Sequence, residues 1–363
     1  MTTSTAPRRD PERDLDTSLE PLPPRRGSLP RHATWGVLLA VAVVVGGLLL
    51  LTGLFSIVAL VLATVALFGI ALYAWSRTVE GPRKATDRLV TIIVTSAFLL
   101  AMVPLVSVVI TVLSRGLERF DAQFFTTSMS GVVGVGGGAY HAIMGTLIIT
   151  GLAAVMSIPV GLLTAIYLVE YGKGRLARAI TFFVDVMTGI PSIVAGLFAY
   201  ALFVLVYGPG VRLGIVGAIA LTVLMIPVVV RATEEILKIV PNELREASLA
   251  LGVPRWRTIV KVVLPTAVAG IASGITLAIA RVIGETAPLL ITVGITTAVN
   301  LNPFEGRVAT LPVFSYYSYA TPGIPRDAFT DRAWAAALIL IIIVMTLNLL
   351  ARFIAHVFAP KSR

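Results

Sequence analysis

The chain has 363 residues, 57% of them hydrophobic and only 13% charged, with a formal net charge of +10 and a mean hydropathy of +0.92. A soluble domain of this length does not carry that much apolar surface, whereas a polytopic membrane protein does. The absence of cysteine excludes disulfides, thiolate metal sites and Cys nucleophiles, and the positive charge lies in short loops rather than on one face, which argues against nucleic acid as a partner.

Residues 1–34 are polar, rich in Pro and Arg, and hold five acids. They cannot bury a core and read as a disordered tail. They are not a signal peptide, because the apolar run that follows is too long for one. Residues 35–75 form an unbroken apolar stretch of 41 residues, about 62 Å as a helix and roughly twice a hydrocarbon core. The expectation is an N-terminal transmembrane hairpin turning at Thr52-Gly53, where Gly relaxes the backbone. Further spans are predicted near residues 89–113, 142–169, 180–206, 213–230, 264–295 and 333–357, which makes eight transmembrane helices. All should be helical, since an open strand edge cannot be satisfied in lipid. With the N-terminus inside, the inner segments hold 22 of the 29 Lys and Arg residues and the outer ones 6. The excess puts both termini and the loop 241–265 in the cytoplasm.

That loop is the most specific stretch of the chain. Residues 241–251 begin with Pro241 and an acidic turn, good helix-start chemistry. Gly252 ends the helix and Val253-Pro254 prevents its continuation. A second helix starts at 255–263, and Leu264-Pro265 leads back into the membrane. A short helix held between two turns can seat in a groove of another protein, and the small residues Ala247 and Ser248 allow close approach. Composition alone would equally describe a solvated amphipathic loop.

Arg281 is the one remaining basic residue and falls inside span 264–295, with Glu285 four residues on. Charges there cost a few kcal/mol each on insertion scales and mark a pathway or a pair. Their spacing puts both on one helix face, so a self-neutralising ion pair is the competing reading. Gly284 between them removes bulk, and Pro288 is expected to break the helix one turn later, exposing backbone groups to a cavity. Arg231, at the inner end of span 213–230, is either a second anion contact or a positive-inside anchor. Asp185 lies about 10 Å into its span by helical rise, and reads as pathway-lining or as a helix-start charge.

The run Gly131 to Gly138 lacks a Gly-Lys-Ser/Thr ending and a preceding strand, so it is no nucleotide loop. His32, His141 and His356 are scattered and make no metal site. No triad or metal-ligand pattern supports an enzyme.

The spacing Glu246-Ala247-Ser248, Gly252, Val262 and Leu264-Pro265 resembles the EAA loop of ABC importer permeases, with Ser248 in place of the usual second Ala. The runs Arg281-Val-Ile-Gly284-Glu285-Thr286-Ala287-Pro288, Arg245 through Trp256, His141 to Leu147, Gly189-Ile-Pro191-Ser192 and Leu311-Pro312 narrow the likeness. Over roughly residues 89–360 the chain is similar to the PstA-type permeases of phosphate-specific ABC transporters. The tail and first hairpin lie outside that likeness.

The resemblance implies an all-α, MetI-like type I importer fold: six core helices, here with the extra hairpin. It implies a PstC-like permease partner, two copies of a PstB-like ATPase and an extracytoplasmic PstS-like binding protein, in the cytoplasmic membrane. ATP and Mg would be used by the ATPase, with no cofactor in this chain. Glu243, Arg245, Glu246, Ala247, Ser248, Gly252, Leu264 and Pro265 are the coupling candidates, and Arg281, Glu285, Thr286, Arg231 and Asp185 the pathway candidates. Phosphate near neutral pH offers oxygens to Arg281 and a proton to Glu285; sulfate lacks that proton. The rival expectations are a permease for another oxyanion, such as molybdate or sulfate, and an ATP-independent secondary transporter.

Overall fold

The computed structural model describes residues 27–30 and 32–358, and every regular element among them is helical. The tail expectation for residues 1–34 falls outside the described residues except at 27–30 and 32–34. The chain forms two compact units, residues 1–107 and 108–363.

The first unit holds α1 (Ala33–Leu51), α2 (Ile57–Val79) and most of α3 (Pro82–Gly116), inside which the division falls. The turn between α1 and α2 lies where the sequence places it: Thr52 Oγ1 donates to the carbonyls of Leu48 and Leu49, and Gly53 takes φ +67°. That left-handed conformation suits glycine alone among common residues at low cost. Leu29, Ala33, Phe68 and Leu72 form the packed interior of this unit. Beyond the end of α2, buried Glu80 accepts from the Leu29 N–H at 2.9 Å, Ser76 Oγ at 2.8 Å and Arg88 Nε at 2.8 Å. Burial alone would raise the pKa of this carboxyl, but the Leu29, Arg88 and Ser76 donors outweigh it and hold the group at about 2.

The second unit continues with α4 (Ala122–Thr126), α5 (Tyr140–Ile166), α6 (Arg175–Thr188), α7 (Ser192–Tyr207), α8 (Gly214–Ile239), α9 (Asn242–Ala250), α10 (Arg255–Thr258), α11 (Leu264–Ile283), α12 (Ala287–Thr292), α13 (Leu311–Ala320) and α14 (Arg326–Phe358). Its core is built on α5, α8 and α11, where Ile149, Leu221, Met225, Val229, Ala278 and Val282 are buried together. Lipid gives helices little hydrophobic reason to associate, so close packing through small residues must do it. A Cβ on Gly161 would lie 2.7 Å from Val229, and one on Gly274 2.8 Å from Ala232. Those glycines let α5 and α11 approach α8.

Two departures from the predicted spans shape the unit. Residues 180–206 are not one helix: α6 and α7 meet at 107°. Pro191 supplies no N–H and disfavours helical geometry at Ile190, and Gly189 and Ile190 close α6 with tight turns onto Val186 and Met187. The span 264–295 breaks earlier than Pro288. α11 stops at Ile283, Gly284 caps it, and Pro288 sits in the first turn of α12, where its missing N–H costs nothing. Conversely, α10 and α11 form one path through a π-helical turn at Ile259–Val263. There Pro265 withholds the N–H that Lys261 C=O would accept, and Leu264 N–H reaches back to Ile259 instead. Among the described residues seven helices are long and apolar enough to cross a membrane, or eight crossings if α6 and α7 together make one.

Candidate functional site

The two breaks face one another across Pro227 of α8. Met187, Thr188, Ile190 and Ser192 from the α6–α7 corner, Leu224, Pro227 and Val228 from α8, and Arg281, Val282 and Glu285 from the end of α11 enclose a cleft of about 200 Å³. The corner is held against the second break by close contact: a Cβ on Gly196 of α7 would sit 2.6 Å from Pro288 Cα.

Arg281 and Glu285 therefore share a cavity, though not a helix face. Arg281 stands in the last turn of α11, where a cation favours the helix dipole. Glu285 has left the helix, its N–H bonded to Val282 C=O at 3.1 Å. Among the described residues neither side chain has an ion-pair or hydrogen-bond partner. Arg281 is exposed on this single chain and Glu285 half-buried. Ser192, the first residue of α7, brings the N-terminal end of a 16-residue helix to the cleft, and free N–H groups there favour an anion. One cation, one carboxylate, two hydroxyls and a helix N-terminus thus converge, a set able to take an oxyanion that also carries a proton. Thr286 turns elsewhere: it lines a separate cavity of about 420 Å³ with Pro312, Ser315 and Tyr316.

Arg231 and Asp185 are brought together, as partners of one another. Arg231 Nη2 bonds Asp185 Oδ1, and its Nη1 bonds Glu234 Oε2 at 2.7 Å. Lys238 Nζ completes the group on Glu234 Oε1 at 2.7 Å. Two acids and two bases balance, and Arg231 has both Nη groups committed.

In the coupling region Gly252 takes φ +76° and its N–H bonds Leu249 C=O, while Val253 N–H reaches Ser248 C=O, a left-handed helix cap of the expected kind. Arg245 points inward. Its guanidinium pairs with Glu170 at 2.9 Å and donates to the carbonyls of Leu237 and Val240. Ser248 Oγ lies 2.9 Å from Thr258 Oγ1, tying α9 to α10. Glu243, Glu246, Ala247 and Gly252 are left exposed, together with Leu251 and Trp256. Pro265 is exposed and Leu264 half-buried at the start of α11. Glu170, Glu234, Lys238 and Thr188 were missed from sequence, and Ser192 was named only within the run that carries the resemblance. The Gly189-Ile190-Pro191 run was the available signal for the last two; for Glu170, 75 residues from its partner, there was none.

The residues 157–363 match the family described as binding-protein-dependent transport system inner membrane component. Similar proteins include the phosphate transport system permease protein PstA 1 of Mycobacterium tuberculosis strain H37Rv, 47% identical over 284 residues, covering 77% of this chain and 91% of that one. The corresponding PstA of Mycobacterium leprae is 45% identical, covering 77% and 92%, and that of Yersinia pestis 36% identical with the same shares. Among solved structures, a bacterial alginate ABC transporter chain aligns with TM-score 0.54 at 14% identity, covering 77% of this chain and 97% of that one. The MetNI methionine ABC transporter aligns with TM-score 0.50 at 21% identity, covering 61% and 95%. At those identities the likeness concerns the fold, and it agrees with the MetI-like permease architecture expected from sequence.

Proposed function

The chain belongs to the PstA-type permeases among the binding-protein-dependent transport system inner membrane components, and from that premise we propose that it imports inorganic phosphate as one half of an ATP-driven passage. The observation that carries the reading is the cleft at the two helix breaks, where Arg281 and Glu285 lie together without partners of their own. Unpaired intramembrane charges are retained for a ligand or for a facing subunit. A phosphate ion meets both: its oxygens accept from Arg281 and from the start of α7, and its hydroxyl donates to Glu285. Sulfate would meet Glu285 as a second anion. Thr286, aimed into the neighbouring cavity, is placed to act on the face towards α13 rather than on the same ion.

A PstC-like permease supplies the other wall of the passage, and a PstS-like protein delivers phosphate from outside. Two PstB-like ATPases bind ATP with Mg and drive the cycle; this chain is the membrane subunit and performs no hydrolysis. The exposed Glu243, Glu246 and Ala247 on α9 seat in the ATPase, while Arg245 and Ser248 fix α9 to the permease body so that movement of one becomes movement of the other. All eight crossings are made, with α6 and α7 as one broken span and both termini in the cytoplasm.

The test is uptake of radiolabelled phosphate and sulfate by proteoliposomes holding the four kinds of subunit. ATP-dependent uptake of phosphate in preference to sulfate supports the reading. ATP-driven uptake of another anion would keep the permease and remove the substrate, and uptake indifferent to ATP would remove the coupling.

A further inference from the structure

A second cavity, with no lining residue in common with the Arg281 cleft, holds a buried arginine that has no carboxylate partner and a buried histidine whose ring nitrogens have none. About 210 Å³ in volume, it has a largely apolar wall that includes Phe314 and Phe329, into which are set His141 at the start of α5, Ser318 and Thr321 at the end of α13, and Arg332 in α14. The segments that carry these residues, 114–141 and 296–332, are those the Lys and Arg distribution assigns to the outer side.

Arg332 is 1% exposed and His141 2%. The Arg332 N–H groups are taken up mainly by backbone: Nε donates to Ala328 C=O, Nη1 to Gly136 C=O and to Met129 Sδ, and Nη2 to Gly134 C=O. Its face rests on Phe329 at 4.2 Å. Carbonyls satisfy the donors, but no carboxylate pairs with Arg332 among the described residues, so the positive charge is buried there without a formal counter-charge. Neither ring nitrogen of His141 has a hydrogen-bond partner, and the ring meets Phe314 edge-on at 5.4 Å. A buried unpaired charge and a buried idle imidazole are both costly unless something occupies the space beside them. A purely structural role, Arg332 pinning the glycine run to α14, accounts for the guanidinium hydrogens but not for its charge or for His141.

The groups define the occupant by chemistry. Arg332, without a formal counter-charge, calls for an anion. A neutral imidazole offers one N–H and one lone pair, so it is met by a ligand with both an acceptor oxygen and a hydroxyl, and the Ser318 hydroxyl can serve either way. At about 30 Å³ per water-sized group, the cavity has room for a phosphorus with four oxygens. We propose that this outer cavity is a second phosphate site, occupied before the ion reaches the Arg281 cleft. The proposal rests on the phosphate-import reading for its place in the sequence of events, though the site's chemistry is independent of it.

The chain has no cysteine, so Ser318→Cys places a single thiol at the cavity wall with little change of shape. In the complete importer reconstituted in lipid, the rate of S318C modification by a small anionic methanethiosulfonate is measured with inorganic phosphate or with chloride, against the same complex without S318C. Phosphate is expected to slow modification at least fivefold, sulfate far less, and adding His141→Phe should abolish the protection. Protection that survives H141F would place the effect elsewhere and overturn the site. So would equal rates in phosphate and chloride, or a thiol that never reacts. Protection that follows the phosphatidylglycerol content of the vesicles instead of added phosphate would assign the cavity to lipid headgroups and overturn it too. Labelling needs no turnover, so it separates from the import reading: phosphate protection without phosphate uptake keeps the site and sinks the import reading, and uptake without protection does the reverse.

Discussion

Two groups of charges in the second unit, both built from α8 and its neighbours, have opposite fates. Arg231, Asp185, Glu234 and Lys238 close on one another in a balanced network. Arg281 and Glu285 share a cleft with their side chains unpartnered. The difference comes from backbone geometry. On the unbroken α8, Arg231, Glu234 and Lys238 follow at helical spacing and meet along one face. At the end of α11, Gly284 removes Glu285 from the helix and separates it from Arg281. The same residue types therefore stabilise the fold in one place and remain available to a ligand in the other.

The largest effect that would break this comparison is loss of Arg281. Arg281→Ala should lower phosphate uptake by roughly 10- to 100-fold, the worth of one charge-assisted hydrogen bond of about 1.5–3 kcal/mol, while leaving the thermal stability of the complex within a degree or two. A large fall in melting temperature would show that Arg281 is structural after all.

A further closed pair, in the coupling region, responds in the opposite sense. Arg245 and Glu170 are 15% and 11% exposed at their side chains, and removing one partner of a largely buried pair costs about 3–5 kcal/mol at the upper end. Arg245→Ala should therefore lower the unfolding temperature and uncouple ATP hydrolysis from uptake, readable as ATP consumed per phosphate moved. Unchanged stoichiometry would detach α9 from the coupling role.

In the first unit, the paired Glu80 gives a pH signature. Its folded pKa lies at about 2, below the usual 4.5, so its contribution to stability is complete above about pH 4.5 and is lost as pH falls through the folded value. Glu80→Gln should flatten the acid side of the unfolding profile between those limits. An identical acid profile in wild type and E80Q would show that the Leu29, Ser76 and Arg88 contacts do not matter to stability.

The smallest expected effect is on Gly252. At φ +76° a side chain costs about 1–2 kcal/mol, so Gly252→Ala should cost a few degrees of thermal stability with uptake retained. A stabilised G252A would contradict the left-handed cap.

Much of this was legible in the sequence because lipid imposes simple rules. Apolar length gave the spans, Thr52-Gly53 the first turn, and Pro241, Gly252 and Pro254 the ends of α9. Hydropathy averages over about a score of residues and is blind to where a hydrogen-bond ladder fails, so the corner at Gly189-Ile190-Pro191 passed as part of one helix. The early stop of α11 was hidden by taking Pro288 as the breaker when Gly284, one turn before, ends the helix. Arg281 and Glu285 stood out as intramembrane charges, but that they share a cleft rather than a helix face is a tertiary fact. So is the capture of Arg245 by Glu170 and of Arg231 by Asp185, whose partners are 75 and 46 residues away.

The most direct test of the contrast between spent and unspent charges is competition of sulfate with phosphate for ATP-driven uptake in proteoliposomes carrying Glu285→Gln beside wild type. If Glu285 receives the proton of the transported ion, E285Q admits sulfate and the phosphate preference falls by about tenfold, one hydrogen bond to a charged group. If the preference is unchanged, Glu285 does not read the ion, and the cleft between the two helix breaks is not where phosphate is recognised.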